Sequence, residues 1–337
     1  MFFPREKVFI IAEISANHNN DYDLAVRTIG EIAKSGADAV KVQTYRPESL
    51  AIDVDNEYFG PKTTGLWKGM RPWDLYKVAA MPYGWQPELK KVAENAGLVF
   101  FSSPFDLEAV DFLEDMGVEL YKIASFEIND IPLIRKVAAT GKPMIISTGV
   151  AEQADIRLAL EVCYGVGNKD VSLLKCTSEY PAQISAANLA TIPDLKNRFG
   201  VNVGVSDHTM GSLVPVVAVA LGATIVEKHF IVDRSLGGVD SYFSMEPAEF
   251  KQMVDQIRSV EQAIGTASYE VSAADCNRRR SLFAIRDILP GERLTPEAIR
   301  SVRPGVGIPP KYYEEILGRT ARIEIKKGTP LSFDFFL

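Results

Sequence analysis

GKPMIISTGVAEQADIRLALEVCYG, residues 141–165, holds one whole strand–turn–helix unit. Pro143–Ser147 is a short apolar run, Thr148-Gly149 breaks it, and Ile156, Ala159, Leu160 and Cys163 then fall at i, i+3, i+4 and i+7. Such a run feeding a 3.6-residue apolar period reads as a strand followed by a helix with one buried face. The same rhythm extends in both directions. Further strand candidates are Val8–Glu13, Ala39–Thr44, Leu98–Ser102, Leu120–Ile123, Ser172–Lys175, Asn202–Val205 and Thr224–Lys228. Helical faces recur in Ala109, Phe112, Leu113 and Met116, and in Phe250, Met253, Val254 and Ile257. Eight βα units within the first 265 residues imply an α/β fold, a TIM (β/α)8 barrel rather than a doubly wound sheet. Neither G-x-G-x-x-G after the first strand nor G-x-x-x-x-G-K-[ST] is present, which counts against nucleotide-binding folds.

Two segments depart from this rhythm. From Tyr45 to Trp85 a long connection separates the second strand from its helix and holds all three tryptophans, Trp67, Trp73 and Trp85. A loop of that length is either a lid on the catalytic face or a packing surface for a second subunit. Residues 266–280 are polar, end in three arginines and read as a linker. Residues 281–337 carry short strand candidates at Leu282–Ile285 and Thr320–Ile325 among Pro-Gly and Lys-Gly turns. So small a unit is marginal alone and should dock on something larger.

Of 337 residues, 47% are apolar and 24% charged, the balance of a folded globular protein. Thirty-seven basic against 44 acidic side chains give a net charge of −7, so no global basic field attracts nucleic acid or an anionic membrane. The apolar stretch from Val214 to Val226 is too short to span a bilayer, and MFFPREKVFIIAEI lacks the core and cleavage site of a signal peptide. A cytoplasmic location is expected. Cys163, Cys176 and Cys276 form no C-x-x-C pair and read as reduced thiols.

A TIM barrel places its chemistry where strands end. Every strand here ends in polar residues: Glu13, Asn17 and His18; Lys41 and Gln43; Ser102 and Ser103, followed by the aromatic Phe105; Lys122, Ser125 and Glu127; Ser147 and Thr148; Lys175, Thr177, Ser178 and Tyr180; Ser206, Asp207 and His208; Glu227, Lys228 and His229, with Asp240 beyond. Singly, a strand-end serine more often caps a helix and a lysine lies in solvent. Jointly, Lys41, Lys122, Lys175 and Lys228 in an acidic chain point to a focused site for a carboxylate or phosphate. His208 and His229 end adjacent strands and could share a divalent metal, with water and substrate completing its shell.

These motifs resemble the sialic acid synthase family, which condenses phosphoenolpyruvate with an amino sugar to give nonulosonic acids. The resemblance runs through EISANHN (13–19), GADAVKVQTY (36–45), FFSSPFD (100–106), YKIASFE (121–127), ISTG (146–149), LLKCTSEYP (173–181), VSDHTMG (205–211), EKHF (227–230) and RRSLFAIRDILPGE (279–292). Within the family, EISANHN, LWKGMRPWDLY (66–76) and YKIASFEINDIPLI (121–134) look most like the branch that uses 2,4-diacetamido-2,4,6-trideoxy-L-altrose. The N-acetylneuraminate and legionaminate branches usually carry glycine where Ser15 stands.

The resemblance implies a barrel followed by an antifreeze-like (SAF) domain at 281–337, in a domain-swapped homodimer. By motif, Lys41, Ser103, Lys122, Ser125, Ser147, Ser178 and Ser206 would bind phosphoenolpyruvate. Ser103 and Ser178 stand where relatives often have Thr and Asn. His208 and His229 would bind Mn²⁺ or Mg²⁺, and Glu13, Gln43, Phe105, Glu127, Tyr180 and Asp240 would face the sugar. Arg303 would reach it from the neighbouring subunit. Catalysis falls to Glu127, Glu13, Lys122 and His229, with Glu127 nearest the carbon that captures water. Two alternatives stand beside this: a Schiff-base aldolase using Lys122 or Lys175, and a non-catalytic sugar-binding protein.

Overall fold

The computed structural model describes Phe2, Phe3 and residues 7–337. Met1, Pro4, Arg5 and Glu6, part of the stretch read for a signal peptide, lie outside the described residues. The chain divides into two compact units, residues 1–265 and 266–337.

In the first unit eight strands, counted among the described residues, close into an all-parallel barrel in chain order. They are β1 (Phe9–Glu13), β2 (Ala39–Thr44), β3 (Val99–Pro104), β4 (Tyr121–Ile123), β5 (Met144–Ser147), β6 (Val171–Cys176), β7 (Asn202–Asp207) and β8 (Ile225–His229). β8 closes on β1 with Glu13 opposite His229. All eight predicted strands are present. β3, β6, β7 and β8 run one or two residues further at their carboxyl ends than the apolar runs suggested.

Alternation along the strands assigns every side chain. One parity faces the helices: Ile10, Val40, Val42, Phe100, Ile123, Ile146, Leu173, Val205 and Val226 pack there with Ile156, Leu160, Phe250 and Ile257 of the outer layer. The other parity fills the barrel, where Phe9, Ile11, Ala39, Phe101, Leu120, Ile145, Leu174 and Ile225 form an apolar floor with Phe3. Gly204 permits that floor. A Cβ there would lie 2.3 Å from the Ile225 carbonyl oxygen and 2.7 Å from Leu174 Cδ2. Two residues further up each strand the same inward face turns polar, so chemistry rests on a packed base.

The long second connection is partly helical, at Pro47–Leu50 and Pro72–Ala79. It folds back onto its own barrel. Trp67 packs against Tyr180 with centroids 5.9 Å apart, and its Nε1 donates to the Val239 carbonyl at 3.0 Å. Tyr76 meets Tyr45, and Trp85 meets His18.

The second unit holds a short helix, Ala273–Arg278, inside the stretch read as linker. It then forms an antiparallel pair, β9 (Ser281–Ala284) with β10 (Ile299–Val302), around a core of Leu282, Ile288, Leu294, Ile299, Ile316 and Leu331. Thr320–Ile325 is not a strand. Its buried residues, Ala321 and Ile325, are four apart while Ile323 is exposed, and single bridges at Thr320, Ala321 and Ile325 replace a ladder. No helix of the described residues is long and apolar enough to cross a membrane.

Candidate active site

An ionic layer sits directly above the apolar floor. Glu227 Oε1 accepts hydrogen bonds from Lys122 Nζ at 2.9 Å and Ser206 Oγ at 3.0 Å, and lies 3.1 Å from Lys41 Nζ. Lys41 also pairs with Glu13 Oε2 at 2.8 Å. All five side chains are buried. Burial opposes every charge here, and geometry decides which survive. Glu227 stays well below the usual carboxylate range because Lys122 and Lys41 outweigh its burial. Lys41 is held above the usual lysine value by Glu13 and Glu227. Burial pushes Glu13 up, with Glu227 adding to it, and burial together with Lys41 pulls Lys122 down.

Hydroxyls ring the layer. Ser103 Oγ and Ser147 Oγ are buried with no hydrogen-bond partner among the described residues, as are Glu13 Oε1, Glu127 Oε2, Glu227 Oε2 and His229 Nδ1. Buried polar atoms are rarely left unpaired, so this concentration at one end of the barrel marks where a polar ligand completes them. Ser125 Oγ accepts from the Gly149 amide at 3.1 Å. A Cβ on Gly149 would stand 2.8 Å from that oxygen and 2.1 Å from Ser178 Oγ, so glycine alone lets the backbone approach both hydroxyls.

His208 and His229 face each other with ring centroids 5.2 Å apart. His208 Nδ1 is paired with the Thr177 carbonyl at 2.9 Å, which orients the ring in the manner of a metal-ligating imidazole. Burial and the neighbouring His208 hold His229 well below the ordinary histidine value, whereas at His208 the contact with Cys176 outweighs burial and raises it. No group of three or more His, Cys, Asp or Glu side chains able to hold a metal ion occurs among the described residues. His208 and His229 are the side chains here that could hold a divalent ion, and two imidazoles would leave the rest of its shell to other donors. Tyr180 packs on His208 at 4.4 Å, and Phe243 lies 4.9 Å from His229. Buried Asp240 takes the Ala16 amide on Oδ2 at 3.4 Å. Glu127 is half-buried, and burial pushes its carboxyl up to about 7. Gln43 is half-buried on the inward parity of β2, and half-buried Phe105 packs on Tyr45 at 5.2 Å.

Two of the four lysines expected to form the anion cluster do not join it. Lys228 lies between the inward-facing Glu227 and His229, points to the helix side and bonds Asp207 and the Thr209 carbonyl. Lys175 also has outward parity and donates to the Cys176 carbonyl and Thr177 Oγ1. His18 packs on Trp85 at 5.9 Å and accepts the Asn20 amide, away from the other two histidines. Arg303 is an exposed residue of the second unit. Sequence reasoning assigned no role to Glu227, the hub of the ionic layer, though it shares parity with His229. It also took Cys176 for an ordinary thiol. Burial opposes its ionisation, but His208, Ser125 and Ser178 together pull it down to about 6.

Residues 28–269 match the NeuB family and residues 279–337 the SAF domain. A Campylobacter jejuni protein named pseudaminic acid synthase is 45% identical, covering 98% of this chain and 97% of that one. One of the same name from Helicobacter pylori is 44% identical over 96% of each. The crystal structure of N-acetylneuraminic acid synthetase from Leptospira borgpetersenii, in complex with citrate, superposes with a TM-score of 0.71 at 35% identity, covering 80% of this chain and 89% of that one.

Proposed function

The chain belongs to the NeuB family, and on that premise we propose that it condenses phosphoenolpyruvate with 2,4-diacetamido-2,4,6-trideoxy-L-altrose to give pseudaminic acid and phosphate. The observation that carries this reading is the barrel mouth, where two buried ammoniums and unpartnered serine hydroxyls converge beside an imidazole pair. The choice of sugar rests on the relatives at 45 and 44% identity. The same machinery would serve an N-acetylneuraminate or legionaminate precursor, and that is the second reading. Residues 1–265 are the catalytic domain, 266–280 the linker and 281–337 the SAF domain, in a cytoplasmic, domain-swapped homodimer.

Lys41 and Lys122, with Ser103, Ser125, Ser147, Ser178 and Ser206, hold the phosphate and carboxylate of phosphoenolpyruvate. Compact ammoniums act there as point charges that neutralise the departing phosphate. His208 and His229 would hold Mn²⁺ or Mg²⁺, which when bound supplies Lewis-acid polarisation of the sugar aldehyde. Glu13, Gln43, Phe105, Tyr180 and Asp240 orient the sugar, and Arg303 of a second copy reaches it. C3 of phosphoenolpyruvate then forms the new bond to the aldehyde carbon as the C=O π bond opens, and the aldehyde oxygen takes a proton from solvent water to become a hydroxyl. Glu127 stabilises the electron-poor C2, orients a water onto it and accepts its proton. The C2–O bond breaks, phosphate leaves with the bridging oxygen, and the keto acid closes to a nine-carbon ring.

Phosphoenolpyruvate labelled with ¹⁸O at the bridging position tests this. The label is expected in phosphate; label retained in the sugar acid would overturn C–O cleavage. A Schiff-base route through Lys122 would instead trap pyruvate on borohydride reduction, and no added mass is expected.

A further inference from the structure

Two stretches of the barrel mouth meet at Asn17, a residue to which the proposed reaction gives no part. β1 runs out into a tight turn in which the Asn17 backbone amide donates to the Ile14 carbonyl at 3.0 Å, with Ser15 at φ +47°. Asn17 is buried, and its side chain meets the loop that follows β8. Its Nδ2 donates to the Phe230 carbonyl at 2.9 Å and to Ser244 Oγ at 2.8 Å. Ser244, also buried, donates its own hydroxyl proton to the Asp240 carbonyl at 2.7 Å. With that proton spent, Ser244 Oγ can only accept from residue 17, and Phe230 likewise offers a carbonyl. Both contacts demand a donor, which an amide supplies and an aspartate of the same shape would not. The two ends of the bridge differ. Phe230 belongs to the barrel wall, its amide donating to the Glu13 carbonyl at 2.8 Å, while the Met245 amide donates to the His229 carbonyl at 2.9 Å. Asp240 lies out in the loop, and its Oδ2 takes the Ala16 amide of the same β1 turn at 3.4 Å.

We propose that Asn17 is the positioning residue for Asp240: through the Ser244 hydroxyl it ties the loop to the barrel wall and holds the carboxylate where it meets the acceptor sugar. The inference rests on the proposed role of Asp240 in facing that sugar. A buried relay in which every donor has its acceptor holds one geometry, because any other leaves a polar group unpaired. Asn19 Nδ2 also reaches the loop, at the Gly237 carbonyl and 3.1 Å, but that contact is exposed.

The test compares wild type, Asn17→Asp, Ser244→Ala, their double variant and Asp240→Asn, by steady-state phosphate release with Mn²⁺ and by hydrogen exchange of residues 231–244. Asn17→Asp keeps the shape and loses both donors. Ser244→Ala breaks only the link to Asp240, and is the milder change should the first fail to fold. Each is expected to raise KM for the sugar about tenfold, the scale of one lost hydrogen bond. KM for phosphoenolpyruvate is expected to stay within about twofold of wild type, because Asp240 lies outside the groups that hold that substrate. Exchange in residues 231–244 should quicken while that of the barrel strands is kept. The double variant should fall short of the product of the two single effects, since both break one relay. An unchanged sugar KM, an equal rise in both KM values, fully multiplicative effects or unaltered exchange would overturn the proposal. Wild type and Asp240→Asn judge the underlying reading by themselves. If wild type turns over no acceptor, or Asp240→Asn keeps the wild-type sugar KM, that reading fails and takes the proposal with it.

Discussion

Replacing Glu227 with glutamine removes one negative charge from a layer in which two carboxylates and two ammoniums balance. Oε1 of Glu227 lies 2.9 Å from Lys122 and 3.1 Å from Lys41, and all three side chains are buried. The amide oxygen can still accept a hydrogen bond, but Glu13 is left to answer two ammoniums. Removing one partner of a buried ion pair costs about 3–5 kcal/mol, most of it the burden of the charge left behind. At about 2 °C per kcal/mol for a barrel of this size, the apparent Tm should fall by about 6–10 °C. The surplus positive charge sits where phosphoenolpyruvate is proposed to bind, which fixes the sign of a second effect. Adding saturating phosphoenolpyruvate should raise the Tm of Glu227→Gln by more than it raises that of wild type. Differential scanning fluorimetry with and without the ligand reads both quantities. A loss below about 2 °C, or equal stabilisation of the two proteins by phosphoenolpyruvate, would refute the hub assignment.

Three further outcomes follow from the same geometry. Burial raises the Glu127 carboxyl to about 7 in the free protein, and a base works only when deprotonated, so kcat/KM should climb as pH rises through about 7. Glu127→Gln should lose about 10²–10⁴ in kcat and with it this acidic limb; the same limb in the variant would assign it elsewhere. Gly149→Ala should push aside the Ser125 and Ser178 hydroxyls, which are flexible side-chain ends, raising KM for phosphoenolpyruvate about tenfold or more at little cost in Tm; an unchanged KM would remove those serines from the substrate. His229→Ala should abolish turnover that excess Mn²⁺ sustains in wild type while circular dichroism and Tm are nearly kept, because a strand-end side chain adds little core; a collapse of the fold would mark it as structural.

The barrel was legible because the helix-facing parity of each strand is nearly all apolar, as in Val40 and Val42 or Val203 and Val205. Strand ends were less legible for the reason that makes them functional. Cys176, Asp207 and His229 continue their strands, but apolar patterning stops where inward positions turn polar. Lys175 and Lys228 were counted with the site because both stand at strand ends, although each is flanked by residues of inward parity and so must face the helices. Parity alone would have removed them and brought in Glu227. In the second unit the pattern failed differently. Its chain is held by single bridges and turns rather than ladders, so Thr320–Ile325 alternates without pairing as a strand, while Ile299–Val302, with only one buried residue, pairs with β9.

Phosphate release from phosphoenolpyruvate with Mn²⁺, measured with 2,4-diacetamido-2,4,6-trideoxy-L-altrose, its D-mannose counterpart and N-acetylmannosamine, tests the central claim most directly. The account predicts turnover with the altrose sugar and none when acceptor or metal is withheld. Release confined to another sugar would contradict the specificity, and full release after verified removal of metal would contradict the role of His208 and His229.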